Sequence, residues 1–200
     1  MDAPEDLPVA GTVVLLRDTD AGPETLLMRR PDRGSFAGAW VFPGGAVEAS
    51  DRAPGATEQE DARRAAAREA FEEVGVVIDD LTVLSCWTPP AEAPKRFRTW
   101  FFLATSLDDA VRPSADEVAD VAWVRPADAL ARHGAGEWSL FPPTWMTLHG
   151  LLGFARAAEA ITTAEVAFYR TRIEGSAFRW DGLALETRTL PWTLAAEQPA

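Results

Sequence analysis

The 200-residue sequence predicts an α/β fold in which a mixed β-sheet is covered by helices on both faces. Three observations carry that expectation. Short apolar and β-branched runs alternate with helix-like segments along most of the chain. One such segment, between Thr57 and Gly75, has a start signal, a stop signal and a sorted surface. Hydrophobic residues make up 47% of the sequence, enough to bury a sizeable core.

In chain order, strands are expected at Ala10 to Leu16, Thr25 to Met28 and Trp40 to Phe42. Val41-Phe42-Pro43-Gly44-Gly45 then reads as a strand running into a turn whose glycines allow close backbone approach. Thr57-Glu58-Gln59-Glu60 has the Thr-x-x-Glu form of a capping box, which predicts a helix from Glu58 to Val74 stopped by Gly75. Strands follow at Leu81 to Trp87, Thr99 to Ala104 and Val118 to Val124. Pro126 to His133 is a helix with proline at its first position, and Thr144 to Ile161 a longer apolar-rich one. Ala177 to Leu185 reads as a hairpin turning at Asp181-Gly182. Without repeats or a low-complexity linker, residues 1–200 form one expected unit, with a core over about 8–152 and an extension over about 153–200.

Arg68-Glu69-Ala70-Phe71-Glu72-Glu73-Val74-Gly75-Val76 carries the chemistry. At about 100° per residue, Glu69, Glu72 and Glu73 share roughly one third of the helix circumference, and Ala67, Phe71 and Val74 fall opposite. Like charges at i, i+4 cost an exposed helix only about 0.2–0.5 kcal/mol, so a solvated acidic face is energetically permitted. Chance is the stronger test. Five fixed positions at roughly one in fifteen each recur in only about one chain in several thousand of this length. The stripe is therefore read as a site for Mg²⁺ or Mn²⁺, hard cations that take carboxylate and water oxygens and bridge proteins to phosphates.

Gly45 together with Arg68 to Val76 resembles the nudix hydrolase signature: a glycine, a spaced Glu, then Arg-Glu-aliphatic-x-Glu-Glu-x-Gly-aliphatic. The loop between the two parts is about nine residues longer than the family's, with Ala49 to Thr57 read as the insertion. Glu60 keeps the family's offset from the arginine but not from the glycine, which leaves it outside the expected ligand set. Phe42 to Arg52, with Trp87-Thr88-Pro89, Arg96-Phe97-Arg98-Thr99 and Phe141-Pro142-Pro143-Thr144-Trp145, is similar to the subgroup containing animal coenzyme A diphosphatases. The resemblance implies a nudix-type α/β/α sandwich and cleavage of a coenzyme A or acyl-coenzyme A diphosphate bond.

In that reading Glu69, Glu72 and Glu73, with a carbonyl from Gly44 or Gly45, hold the cation, and water attacks phosphorus. Arg68 orients the carboxylates. The general base is Glu69 or Glu117. Arg30, Gly44, Gly45, Arg96 and Phe97 are the expected substrate contacts, the last two by charge and stacking. ADP-ribose, NADH or an oxidised nucleotide would suit the same chemistry, and a silent ligand-binding module is the reading from another class.

A net charge of −12 argues against general nucleic-acid binding, which needs basic surface. No run of about 18 apolar residues supports a membrane span. Met1 to Pro8 lacks a secretory pattern and Glu197-Gln198-Pro199-Ala200 lacks a peroxisomal signal, so a cytoplasmic protein is expected. One cysteine, Cys86, excludes an internal disulfide and reads as a buried thiol rather than a nucleophile. Two dispersed histidines, His133 and His149, do not make a zinc cluster. Trp180 and Trp192 are assigned to core cover, an acyl-chain pocket or a homodimer surface.

Overall fold

The computed structural model describes residues 6–34, 36–105 and 110–196; the readings made on segments 1–5 and 197–200 lie outside them. Its centre is an eight-stranded mixed sheet. Strands β1 (Val9–Thr19), β2 (Gly22–Arg29), β3 (Trp40–Val41) and β4 (Gly44–Ala46) precede helix α1 (Glu58–Val74). After it come β5 (Thr82–Thr88), β6 (Arg98–Thr105), β7 (Asp120–Val124), α2 (Pro126–Gly134), α3 (Pro142–Leu151), α4 (Ala157–Thr162) and β8 (Ala167–Arg170). The order across the sheet is β3-β2-β1-β6-β5-β8, with β4 added to β1 and β7 to β2. β1 runs parallel to β6 and β5 parallel to β8, and the other pairs are antiparallel.

Both faces of the central strands are apolar because both are covered. Val13, Leu15, Leu26, Met28 and Phe102 join one cluster with Ala62, Ala66, Ala70 and Val74 of α1. Val14, Leu16, Leu27, Phe101 and Leu103 join the other with Ala129, Trp145, Leu148 and Ala157 of the later helices. The period of two along each strand thus produces the α/β/α sandwich that the sequence predicts. Among the described residues no helix is long and apolar enough to cross a membrane.

Helix α1 has the predicted ends. Thr57 Oγ1 accepts from the Glu60 N–H at 3.3 Å, Glu60 Oε2 accepts from the Thr57 N–H at 2.7 Å, and Gly75 closes the helix at φ 71°. Glu60 is thereby occupied as a cap. The face assignment needs correction, since Phe71 is 59% exposed while Glu73 is buried. The buried stripe runs through Ala62, Ala65, Ala66, Ala70, Glu73 and Val74, so the helix is turned away from the face on which Phe71 was placed.

Three further expectations change. Gly44-Gly45 is not a turn but part of β4, paired with β1 so that Gly45 lies opposite Gly11. The helix expected over Thr144 to Ile161 is two helices, α3 and α4. Gly150 and Gly153 weaken its middle, and Asp18 Oδ1 accepts the Ala157 N–H at 2.8 Å, capping a new start from a distant strand. The last strand of the sheet's β2 edge begins at Asp120 rather than Val118.

The chain ends in a second, four-stranded antiparallel sheet: β9 (Arg172–Glu174), β10 (Ala177–Trp180), β11 (Leu183–Glu186) and β12 (Thr193–Ala196). The expected hairpin is its centre, with Trp180 opposite Leu183 and Gly182 at φ 76° in the turn. Trp180 is core cover: it is 1% exposed and meets Trp87 and Tyr169 edge-on at 5.6 and 5.9 Å. Neither β8 nor the outer strands of this sheet had been expected.

Candidate active site

β4 lies on β1 beneath α1, which brings Gly44 and Gly45 against the two carboxylates on the inner side of the helix. Gly44 meets fixed backbone and Gly45 meets a side chain that a Cβ would displace. A Cβ on Gly45 would collide with the Glu69 carboxylate, and one on Gly44 would strike the Gly11 carbonyl and come within 2.7 Å of Thr12 Cα. The bare backbone also lets the Gly44 N–H donate to Glu73 Oε2 at 2.8 Å. Gly11 sets the height of the helix, since its Cβ would run into the backbone carbonyl of Ala62.

Burial shifts these acids. Burial holds the Glu73 carboxyl well above the usual carboxylate range, opposed by the Gly44 N–H and the Arg30 charge and reinforced by Glu69 and Glu117. Glu69 is raised for the same first reason, with Arg68 pulling the other way. A group like Glu73 keeps its charge only beside a cation. Arg30, whose Nη1 is 3.6 Å from Glu73 Oε1, offsets the rise only in part.

Arg68 is the organising centre. It donates to Glu69 Oε1 at 2.9 Å, Glu72 Oε2 at 2.8 Å and the Ala46 carbonyl at 3.0 Å, and grips Asp51 through two bonds of 3.1 and 2.9 Å. Asp51 is 4% exposed and ends a 3₁₀ turn, Ala49–Asp51, in which its Oδ2 also accepts the Glu48 N–H at 2.8 Å. Sequence reasoning assigned Asp51 no role. Asp51 lies within the stretch Ala49 to Thr57 that the sequence reads as the insertion, yet it is bonded to Arg68. An acid close behind the glycine pair was the available signal.

A cavity of about 540 Å³ opens over this group, lined by Gly44, Gly45, Glu69, Glu73, Asp116, Glu117 and, from the loop after β2, Arg30, Arg33 and Gly34 among others. The structure therefore brings together Arg30, Gly44, Gly45, Glu69, Glu73 and Glu117 of the sequence-derived set. Arg33 ties the two loops by donating to the Asp116 carbonyl at 3.1 Å. Glu72 does not line the cavity; its side chain is 50% exposed on the outer side of Arg68. Nor do Arg96 and Phe97. Both precede β6, which is separated from β4 by β1. Cys86 is buried and its thiol is pushed up to about 12 by burial first, then by Glu58, which suits no nucleophile.

The donor set fits a hard divalent cation. One buried carboxylate, Glu73, and one half-buried, Glu69, with Glu117 on the same cavity, present oxygen ligands to a space open to phosphates. Among the described residues Glu73 and Glu69 are paired with arginines, and no three His, Cys, Asp or Glu side chains are gathered into a group that could hold a metal ion. A second cavity of about 260 Å³, between Trp40, Trp138 and Arg132, has Asp120 as its one acid.

Comparison with known proteins bears on the whole assembly. A family model described as NUDIX domain matches residues 7–142. No match to a curated protein was found. Among solved structures, a NUDIX hydrolase from Alicyclobacillus acidocaldarius superimposes with a TM-score of 0.71 at 24% identity, covering 82% of this chain and 99% of that one. The NUDIX domain of Shewanella oneidensis NrtR, complexed with ADP ribose, gives 0.58 at 18% identity over 81% and 94% of the two chains. The MutT NUDIX hydrolase from Burkholderia pseudomallei gives 0.56 at 23%, over 72% and 98%. At these identities the likeness is one of fold.

Proposed function

The chain belongs to the NUDIX family of hydrolases, and from that premise we propose that it is a divalent-cation-dependent diphosphatase whose substrate is coenzyme A or an acyl-coenzyme A. The observation that supports the reaction is the convergence of Glu69, Glu73 and Glu117 on one cavity floored by Gly44 and Gly45. The substrate reading rests on the resemblance of Phe42 to Arg52 and Phe141 to Trp145 to the coenzyme A subgroup.

Glu69, Glu73 and the Gly45 carbonyl hold the cation, Mg²⁺ or Mn²⁺, with Glu72 added from the outer side of Arg68. When bound, the ion neutralises the diphosphate and makes a coordinated water more acidic. Arg30 and Arg33 draw the anionic substrate to the cavity mouth, a role the overall charge of −12 leaves to local cations. Glu117 or Glu69 accepts the proton as water oxygen bonds to phosphorus and the bridging P–O bond breaks. Burial raises the pKa of Glu69 above the ordinary glutamate value, which makes it the stronger base. Arg68, saturated by five bonds, orients carboxylates and touches no substrate.

ADP-ribose is the second reading, favoured by the fold likeness to a domain complexed with ADP ribose. Mass spectrometry of the products from coenzyme A, acyl-coenzyme A, ADP-ribose, NADH and nucleoside triphosphates, with Mg²⁺ or Mn²⁺, separates the two. Metal-dependent phosphopantetheine and adenosine 3′,5′-bisphosphate are expected. Cleavage of ADP-ribose alone would keep the chemistry and replace the substrate, and cleavage of none would favour a binding module.

A further inference from the structure

Two arginines approach Glu69, Glu72 and Glu73, and they are held in opposite ways. Arg68 makes five hydrogen bonds of 2.8–3.1 Å to three carboxylates and a carbonyl, so it is fixed. Arg30 makes a charge contact only. Its Nη1 stands 3.6 Å from Glu73 Oε1, beyond hydrogen-bond length, and its Nε is shielded from solvent with no partner among the described residues. Its backbone, by contrast, is anchored, the N–H donating to the Ala39 carbonyl at 2.9 Å.

Glu73 has the matching asymmetry. Oε2 is taken by the Gly44 N–H, while Oε1 faces Arg30 in the cavity. Glu73 is 3% exposed, so its charged form is favoured by a cation beside it, and the side chain of Arg30, 35% exposed, is held there by no side-chain hydrogen bond among the described residues.

Building on the metal-dependent reading above, we propose that Arg30 is an exchangeable counter-cation: it stands beside Glu73 until a divalent ion binds there, and is then released to the substrate's diphosphate. Two cations cannot share one carboxylate oxygen without repulsion, so Arg30 opposes metal binding in the absence of substrate and assists substrate binding in its presence. A residue that merely braced the loop would weaken both when replaced.

Mn²⁺ binding without substrate, read from the electron paramagnetic resonance of the free ion, tests this on the full chain. Arg30→Gln should bind Mn²⁺ roughly fivefold to tenfold more tightly than wild type, the size expected for removing one charge at this distance in a solvated pocket. Arg30→Lys should stay near wild type. With ADP-ribose or coenzyme A, whichever the wild-type protein cleaves, Arg30→Gln should raise KM and leave kcat little changed. If it cleaves neither, the Mn²⁺ measurement decides alone. Wild-type binding that Glu73→Gln abolishes and Arg30→Gln leaves equal or weaker would overturn the exchange while keeping the metal site. No Mn²⁺ binding to any form would overturn the metal reading and the exchange with it.

Discussion

Glu73 and Asp51 are buried acids of opposite character. Burial leaves Glu73 raised and in need of a cation, whereas Asp51, which burial also works to raise, is held below its usual value by Arg68, the Glu48 N–H and Arg64. We expect Glu73→Gln to lower kcat/KM by about 10²–10⁴-fold without loss of folding, as removal of a ligand or proton-handling group does. Glu72→Gln should also cost orders of magnitude, and near-normal turnover in it would remove the outer glutamate from the ligand set. Asp51→Asn breaks a buried two-bond pair, and a loss of about 2–4 kcal/mol in urea unfolding at pH 7 is expected. Because the folded-state value of Asp51 is lowered, its stabilisation is complete above the ordinary value of 3.8 and fades as pH falls below it. The gap between wild type and Asp51→Asn should therefore narrow only below about pH 4; a gap constant into stronger acid would show that the pair is not the cause. The motif glutamates were legible as residues, because spacing alone singles them out. Asp51 was not, since its role depends on a 3₁₀ turn that aims it at an arginine 17 positions away.

Helix α1 illustrates what a periodic pattern does and does not determine. Its ends were readable from chemistry that is local, a Thr-x-x-Glu box and a glycine at positive φ. Its rotation was not, because the contact that sets it is remote: Gly11 of β1 meets the backbone at Ala62, and the alanines around Ala62, rather than Phe71, face the sheet. Two variants separate these accounts. Phe71→Ser should change stability by no more than about 0.5 kcal/mol, as for an exposed site, whereas burial on an apolar face would make it cost about 3–5 kcal/mol. Gly11→Ala, silent in any pattern argument, should cost about 1–3 kcal/mol or more, since the new methyl meets backbone that cannot yield. Chemical denaturation of both proteins gives the comparison, and equal losses would mean that the helix sits otherwise than described. The broken helix after Pro142 has the same lesson, its second start depending on Asp18 across the molecule.

Across the whole molecule, the strands were legible because alternation along each one serves two apolar layers, while the C-terminal sheet was legible only where a two-residue turn marks its centre. Its outer strands are short and mostly exposed, and the parallel pairing of β8 with β5 joins segments about 80 residues apart. The packing nevertheless argues that this sheet is part of the catalytic body. Trp180 and Leu185, 1% and 0% exposed, belong to the same cluster as Leu27, Phe101 and Leu148 from the central sheet and α3. Trp192 continues the contact, its ring 4.4 Å from that of His133 on α2. A sheet whose apolar face is completed by another layer does not have a core of its own to keep it folded when that layer melts. We therefore expect thermal unfolding to be a single transition by both far-ultraviolet circular dichroism and tryptophan fluorescence. Trp180→Ala should lower the stability of the whole chain by about 3–5 kcal/mol while that transition stays single. Two separable transitions, with Trp180→Ala moving only one of them, would instead make residues from about 171 onward an independent unit carried by the catalytic fold.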